Sequence, residues 1–135
     1  MMWRVLMVFW GLAAGAAQAV SGSWVADSVG VSLGHGGVRL TSPSLRPPNA
    51  LPDANARITS ISWRYRLASS APAGLQVELC MPARCMALEG GSGRSEALRG
   101  ELANGEFYFV YSIQTRGAVF PPLRVLSNQL IVNYQ

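Results

Sequence analysis

Between Ile58 and Leu67 the chain alternates with a period of two. Thr59, Ile61, Trp63, Tyr65 and Leu67 interleave with Ser60, Ser62, Arg64 and Arg66. Successive side chains of a strand leave opposite faces, so the pattern predicts a half-buried β-strand with its aromatic face inward and its arginines outward. Pro72 and Gly74 punctuate a turn over residues 69–74. A second strand follows, with Leu75, Val77 and Leu79 inward and Gln76, Glu78 and Cys80 outward. Met81 to Arg84 reads as a four-residue loop, and a third strand starts at Cys85 with Met86 and Leu88 inward. Cys80 and Cys85 therefore share the outer face of neighbouring strands. A short hairpin sets them opposite each other, within reach of a disulfide. Its closed loop is short, so about 2 kcal/mol of chain entropy is expected from it.

The flanking sequence continues in the same style. Ser23 to Leu33 has β-type composition, with Trp24 as a core anchor. His35-Gly36-Gly37 forms a turn, and Val38 to Leu40 returns as a short strand. From Thr41 to Arg57 four prolines sit among Ser, Asn and Ala, which predicts a long loop or edge segment. It reads either as a passive crossover between sheets or as a functional loop. After Glu89 the string Gly90-Gly91-Ser92-Gly93-Arg94 reads as a flexible turn, followed by a short strand over Ser95 to Leu98. Asn104-Gly105 signals a turn. In Phe107 to Ile113, Phe107, Phe109, Tyr111 and Ile113 share one face, while Tyr108, Val110 and Ser112 share the other. Apolar residues on both faces predict a central strand. Gly117 to Pro122 reads as a loop, and the last strand, Leu123 to Tyr134, turns Leu130, Val132 and Tyr134 to one side. Seven to nine short strands without a sustained helical period predict an all-β fold: an antiparallel β-sandwich of immunoglobulin-like type.

Residues 1–19 have the form of an export signal. Arg4 supplies the positive end, Val5 to Ala14 the apolar run, and Ala17-Gln18-Ala19 a small-x-small cleavage site. The apolar run is shorter than the roughly 20 residues that a spanning helix needs. Cleavage removes 19 of the 135 residues and leaves one exported β-sandwich domain over residues 20–135, free of stable membrane insertion. Two cysteines in an exported chain agree with one disulfide. The basic residues are all arginine. Without Arg4, ten stand against seven carboxylates, and they are spread along the chain. A nucleic-acid reader would carry a basic stripe instead, so nucleic acid is not an expected partner.

Chemistry-bearing patterns are sparse. The single histidine, His35, and two cysteines cannot close a structural zinc site. Gly34-His35-Gly36-Gly37 is similar to a lipase oxyanion loop, but no Gly-x-Ser-x-Gly elbow accompanies it, since Gly90 to Arg94 breaks that pattern at its last position. Cys80 and Cys85 are too far apart in sequence for a redox motif. Glu89 and Glu96 are the one carboxylate pair to weigh for hydrolysis, and carboxylates near an exposed hairpin are usually solvated. No glycine loop for phosphate is present. The expectation is a non-enzyme without cofactors.

A family resemblance comes from an ordered set of short strings. These are Trp24 with Ser28-Val29-Gly30-Val31, Ser62-Trp63-Arg64-Tyr65-Arg66-Leu67, Pro72, Gly74-Leu75, Val77 and Leu79-Cys80. Then come Arg84-Cys85, Leu88-Glu89-Gly90, Ser92-Gly93, Val125, Ser127-Asn128 and Ile131-Val132-Asn133-Tyr134. Together they resemble the FlhE family of exported bacterial flagellar accessory proteins, over nearly all of the chain after the signal. Thr41 to Arg57 and Arg99 to Glu106 match least. The resemblance implies a periplasmic place, a role in flagellar assembly at the export gate, and prevention of misplaced periplasmic flagella. A chaperone-like or regulatory contact with flagellar export, rod or basal-body proteins is the implied mechanism, and no catalytic residues carry over. Arg64, Arg66 and Tyr108, with the proline-rich loop, are the surface candidates by exposure. Two alternatives accompany this reading. One is a carbohydrate- or peptidoglycan-binding module, in which Tyr108 stacks on a sugar whose carboxylate Arg64 and Arg66 hold. The other is a structural component of the basal body.

Overall fold

Two antiparallel sheets face each other across one apolar core in the computed structural model, which describes residues 21–135. The export signal expected at residues 1–19 lies outside the described residues. Nine strands follow in order: β1 (Gly22–Val29), β2 (Ser32–Gly36), β3 (Arg39–Thr41), β4 (Ile58–Leu67), β5 (Leu75–Met81), β6 (Arg84–Leu88), β7 (Ser92–Ser95), β8 (Tyr108–Ile113) and β9 (Gly117–Tyr134). The first sheet runs β1-β9-β4-β7, with β2 also paired to β9, and the second runs β3-β8-β5-β6. This is the expected all-β sandwich.

The aromatic face of β4 points inward, as its alternation predicts. Ile61 and Trp63 are buried, Tyr65 and Leu67 are half-buried, and Arg64 and Arg66 are exposed. The strand departs from strict alternation at its start. A β-bulge between Ile58 and Ser60 makes Thr59 an extra residue, so Ile58 rather than Thr59 enters the core. From the facing sheet come Val77, Leu79, Met86, Phe109, Tyr111 and Ile113. Val110, on the other face of β8, is also buried, which agrees with a central strand lying between β3 and β5.

The β5–β6 hairpin is tighter than expected. Met81 pairs with Arg84, so the loop is Pro82-Ala83 alone and β6 begins one residue earlier. Cys80 stands opposite Cys85 with Cα atoms 4.0 Å apart, and the disulfide is formed. Cys80 is on the outer face yet buried, because Cys85 and Tyr108 flank it on the two neighbouring strands.

Three loop expectations give way to strand. Ser92–Ser95 is β7, not a flexible turn, while the short strand expected over Ser95 to Leu98 is replaced by a turn that buries Leu98. Gly93 lies opposite Trp63, and a Cβ there would sit 2.6 Å from the indole Cζ2. Glycine is thus present to admit the ring, not to loosen the chain. Gly117 to Pro122 belongs to β9. His35 pairs opposite Ala118 and Leu33 opposite Leu123, so Gly34 alone faces Val119 to Pro122, which bulge outward and leave Phe120 94% exposed. His35 therefore lies in β2 rather than in a turn. The turn follows at Gly37, and a Cβ on Gly36 would collide with the Thr115 carbonyl where the chain crosses between sheets.

Candidate functional site

The two outer sheet faces differ in chemistry. On the first sheet the register sets Asp27, Gln129, Arg64 and Ser92 in one cross-strand row. Arg66 lies beside Ser127 and Val29 in the next row, and Arg94 beside Ser62, Ile131 and Val25 in the row before. Asp27, Arg64, Arg66, Ser127 and Gln129 line a shallow polar depression of about 220 Å³. A β-bulge opposite the Arg66–Leu67 step makes Leu126 the extra residue of β9 and sets this arrangement. Before it Leu123 and Val125 are buried, whereas after it Asn128, Leu130, Val132 and Tyr134 are. Without that shift Ser127 and Gln129 would point into the core.

On the second sheet Tyr108 sits beside Cys80 and the disulfide. It is half-buried and on the opposite side of the sandwich from Arg64 and Arg66. The structure therefore brings Arg64 and Arg66 together but leaves Tyr108 out. A single sugar site using all three, with Tyr108 stacking and the arginines holding a carboxylate, is not formed.

The proline-rich segment after β3 closes one end of the sandwich. Leu45 and Ala56 are buried, and Leu45 exchanges main-chain hydrogen bonds of 2.6 and 2.9 Å with Phe107. Arg46 pairs with Glu106 at 3.1 Å. Between these anchors the tip at Pro48 to Asn55 stays largely exposed, with a hollow of about 370 Å³ beneath it and another of about 240 Å³ against Ser23 to Val25. The segment is neither a bare crossover nor an enclosed pocket.

The residues weighed for catalysis do not assemble. Glu96 pairs with Arg99, Glu89 lies exposed at the end of β6, and His35 is exposed on β2. Among the described residues one metal-type grouping occurs, Glu78 with Cys80 and Cys85, and its sulfurs are joined in the disulfide.

One polar constellation escaped the sequence reading. Asn128 is fully buried; its Oδ1 accepts a hydrogen bond from the Tyr111 hydroxyl, and its Nδ2 donates to Ser28 Oγ and the Val29 carbonyl, each at 3.2 Å. The contacts tie β8 of one sheet to β9 and β1 of the other. Burial holds the Tyr111 hydroxyl well above the usual tyrosine range, and the nearby Tyr65 adds to this. Counting back by twos from Leu130 would have put Asn128 inward.

With this geometry in hand, residues 30–135 match the family described as flagellar protein FlhE. The chain belongs to the FlhE family. A FlhE protein of Yersinia enterocolitica is 55% identical over 115 residues, covering 85% of this chain and 82% of the relative. FlhE of Escherichia coli K12 is 39% identical, with 84% and 85% covered. The crystal structure of FlhE superposes with a TM-score of 0.81 at 36% identity, covering 87% of this chain and 99% of that one. The FlhE match thus supports the sandwich and a flagellar role together, and it is to a flagellar accessory family rather than to an enzyme family.

Proposed function

We propose that this FlhE-family protein is a periplasmic, non-catalytic binding module of flagellar assembly. It holds an extended segment of an export-gate, rod or basal-body component in a chaperone-like or regulatory way, which restrains misplaced flagella or leakage at the gate. The observation that carries this reading is the open edge at β1. That strand is eight residues long and pairs only with β9. Its other main-chain row has no strand partner among the described residues, and the strand contains neither proline nor lysine; Asp27 is its one charged residue, and the proline-rich tip lies near its start at Ser23 to Val25. Such an edge accepts a partner strand through main-chain hydrogen bonds. The Cys80–Cys85 disulfide supports an oxidising compartment.

Crosslinking in flagellated cells, followed by capture of the protein from the periplasm, tests the reading. An export or rod component should be captured in substoichiometric, assembly-dependent amounts. A fixed proportion in purified basal bodies would make the protein a structural part. Binding to peptidoglycan fragments in the absence of flagellar proteins would favour the sugar-module alternative.

A further inference from the structure

The outer face of the first sheet gathers three guanidinium groups that have no counter-ion. Arg64 and Arg66 are two residues apart on β4. Arg94 on β7 stands opposite Ser62 and so is diagonal to Arg64. Same-face neighbours along a strand lie about 6.8 Å apart, and diagonal neighbours about 7–8 Å. All three are exposed, and among the described residues none is in an ion pair. Of the other arginines, Arg39, Arg46, Arg84 and Arg99 each hold a glutamate at 3.1–3.5 Å, while Arg57, Arg116 and Arg124 are in no ion pair among the described residues; what sets Arg64, Arg66 and Arg94 apart is that they are neighbours on one face. Like charges on neighbouring positions of one sheet face repel. An anionic partner relieves that repulsion, and guanidinium is well matched to carboxylate because it offers a fixed fork of donors.

We propose that this face docks an extended acidic protein segment, with carboxylates at alternate positions seated on Arg64 and Arg66. Alternate side chains of an extended chain repeat at about 6.8 Å, the same spacing as the two arginines. Ser62, Ser127 and Gln129 lie among the arginines as neutral hydrogen-bonding groups for the segment's main chain. Asp27 stands two strands from Arg64 in the same row, roughly 10 Å away. A continuous polyanion such as a sulfated glycan would meet that carboxylate, whereas a narrow acidic strand along β4 avoids it. The face along β4 is separate from the β1 edge, which lies two strands away, so the proposal adds a second contact surface to the binding module. It rests on that reading only for its cellular role, since the interaction itself can be measured with purified protein.

The test is an amide NMR titration of the purified protein with acetyl-(Ser-Glu)4-amide at low salt. Shifts should centre on Ser62 to Arg66 and Ser127 to Gln129, and affinity should fall severalfold on raising salt to about 300 mM, as exposed charge pairs are screened. An R64E/R66E variant should bind at least about tenfold more weakly and should instead gain affinity for acetyl-(Ser-Lys)4-amide. An R39E/R116E variant carries the same change in net charge away from this face and should bind the acidic peptide like the parent. Equal loss in both variants, or shifts centred on the second sheet, would overturn the proposal. Tighter binding of heparin than of the acidic peptide would also overturn it, by showing a general polyanion surface. None of these results bears on capture of a flagellar component in cells, so the two readings fail separately.

Discussion

Trp63 spans the gap at the edge of the sandwich. Its ring lies over Gly93 and its indole N–H donates to the Gly90 carbonyl at 3.1 Å. Trp63→Ala should cost about 3–5 kcal/mol through lost burial and a cavity, read from denaturant melts. Gly93→Ala should cost about 1–3 kcal/mol by forcing the ring to shift. A Trp63→Ala protein that melts like its parent yet fails in assembly would place Trp63 on the binding surface instead. The burial of Trp63 was legible because Ser62 and Arg64 bracket it. The meaning of Gly93 was not, because a glycine that makes room for a ring and a glycine that loosens a turn look alike in sequence. Tyr111 gives a second test. Its hydroxyl is the buried donor to Asn128, so Tyr111→Phe should cost about 1–3 kcal/mol by leaving that oxygen unpaired. The raised folded-state pKa of Tyr111 means that its contribution is complete below the unfolded value of about 10 and is lost as pH rises above it. Stability of the parent should therefore fall between about pH 9 and about pH 11 more steeply than that of Tyr111→Phe. Tyr65, raised by burial in the same sense, leaves a residual slope in the variant.

Among the elements, the β5–β6 hairpin followed from parity alone: two cysteines on one face of adjacent strands. Its loop length did not, since Arg84 outside a strand and Arg84 as the first residue of an edge strand have the same composition. Replacing both cysteines by serine should lower stability by about 2 kcal/mol. Alkylation under denaturing, non-reducing conditions should label neither cysteine of the parent, and full labelling of both would contradict the formed bridge. The longest strand was the least legible. Pro121-Pro122 argued for a loop, but β9 carries its prolines through a bulge opposite Gly34, where no ladder hydrogen bond is needed from them. The bulge at Leu126 then reverses the inward row, and no local signal in Val125-Leu126-Ser127 announces it. That reversal is what turns Ser127 and Gln129 outward beside Arg64 and Arg66. The arginines were therefore recognisable as exposed, while the depression they share was not.

At the scale of the molecule, the sandwich places a basic, hydrogen-bonding face and an open strand edge on one sheet, and puts Tyr108 and the disulfide on the other. Strand alternation carried the fold class, because it recurs in β4, β5, β8 and the end of β9. The pairing of distant surface residues depends on sheet order, which alternation does not encode; hence Tyr108 was grouped with arginines on the far side. If residues 1–19 direct export, N-terminal mass analysis of the exported protein should find a chain starting near Val20, and an uncleaved membrane-bound chain would contradict that. The claim that the first sheet holds a flagellar component is tested most directly by a photo-crosslinking residue introduced in flagellated cells at Val25, at Val29, at Arg94 or, on the second sheet, at Ala87. Adducts with one export or rod component from the first three positions and none from Ala87 are the expected result. Adducts only from Ala87, or none from any position under conditions of active assembly, would contradict it.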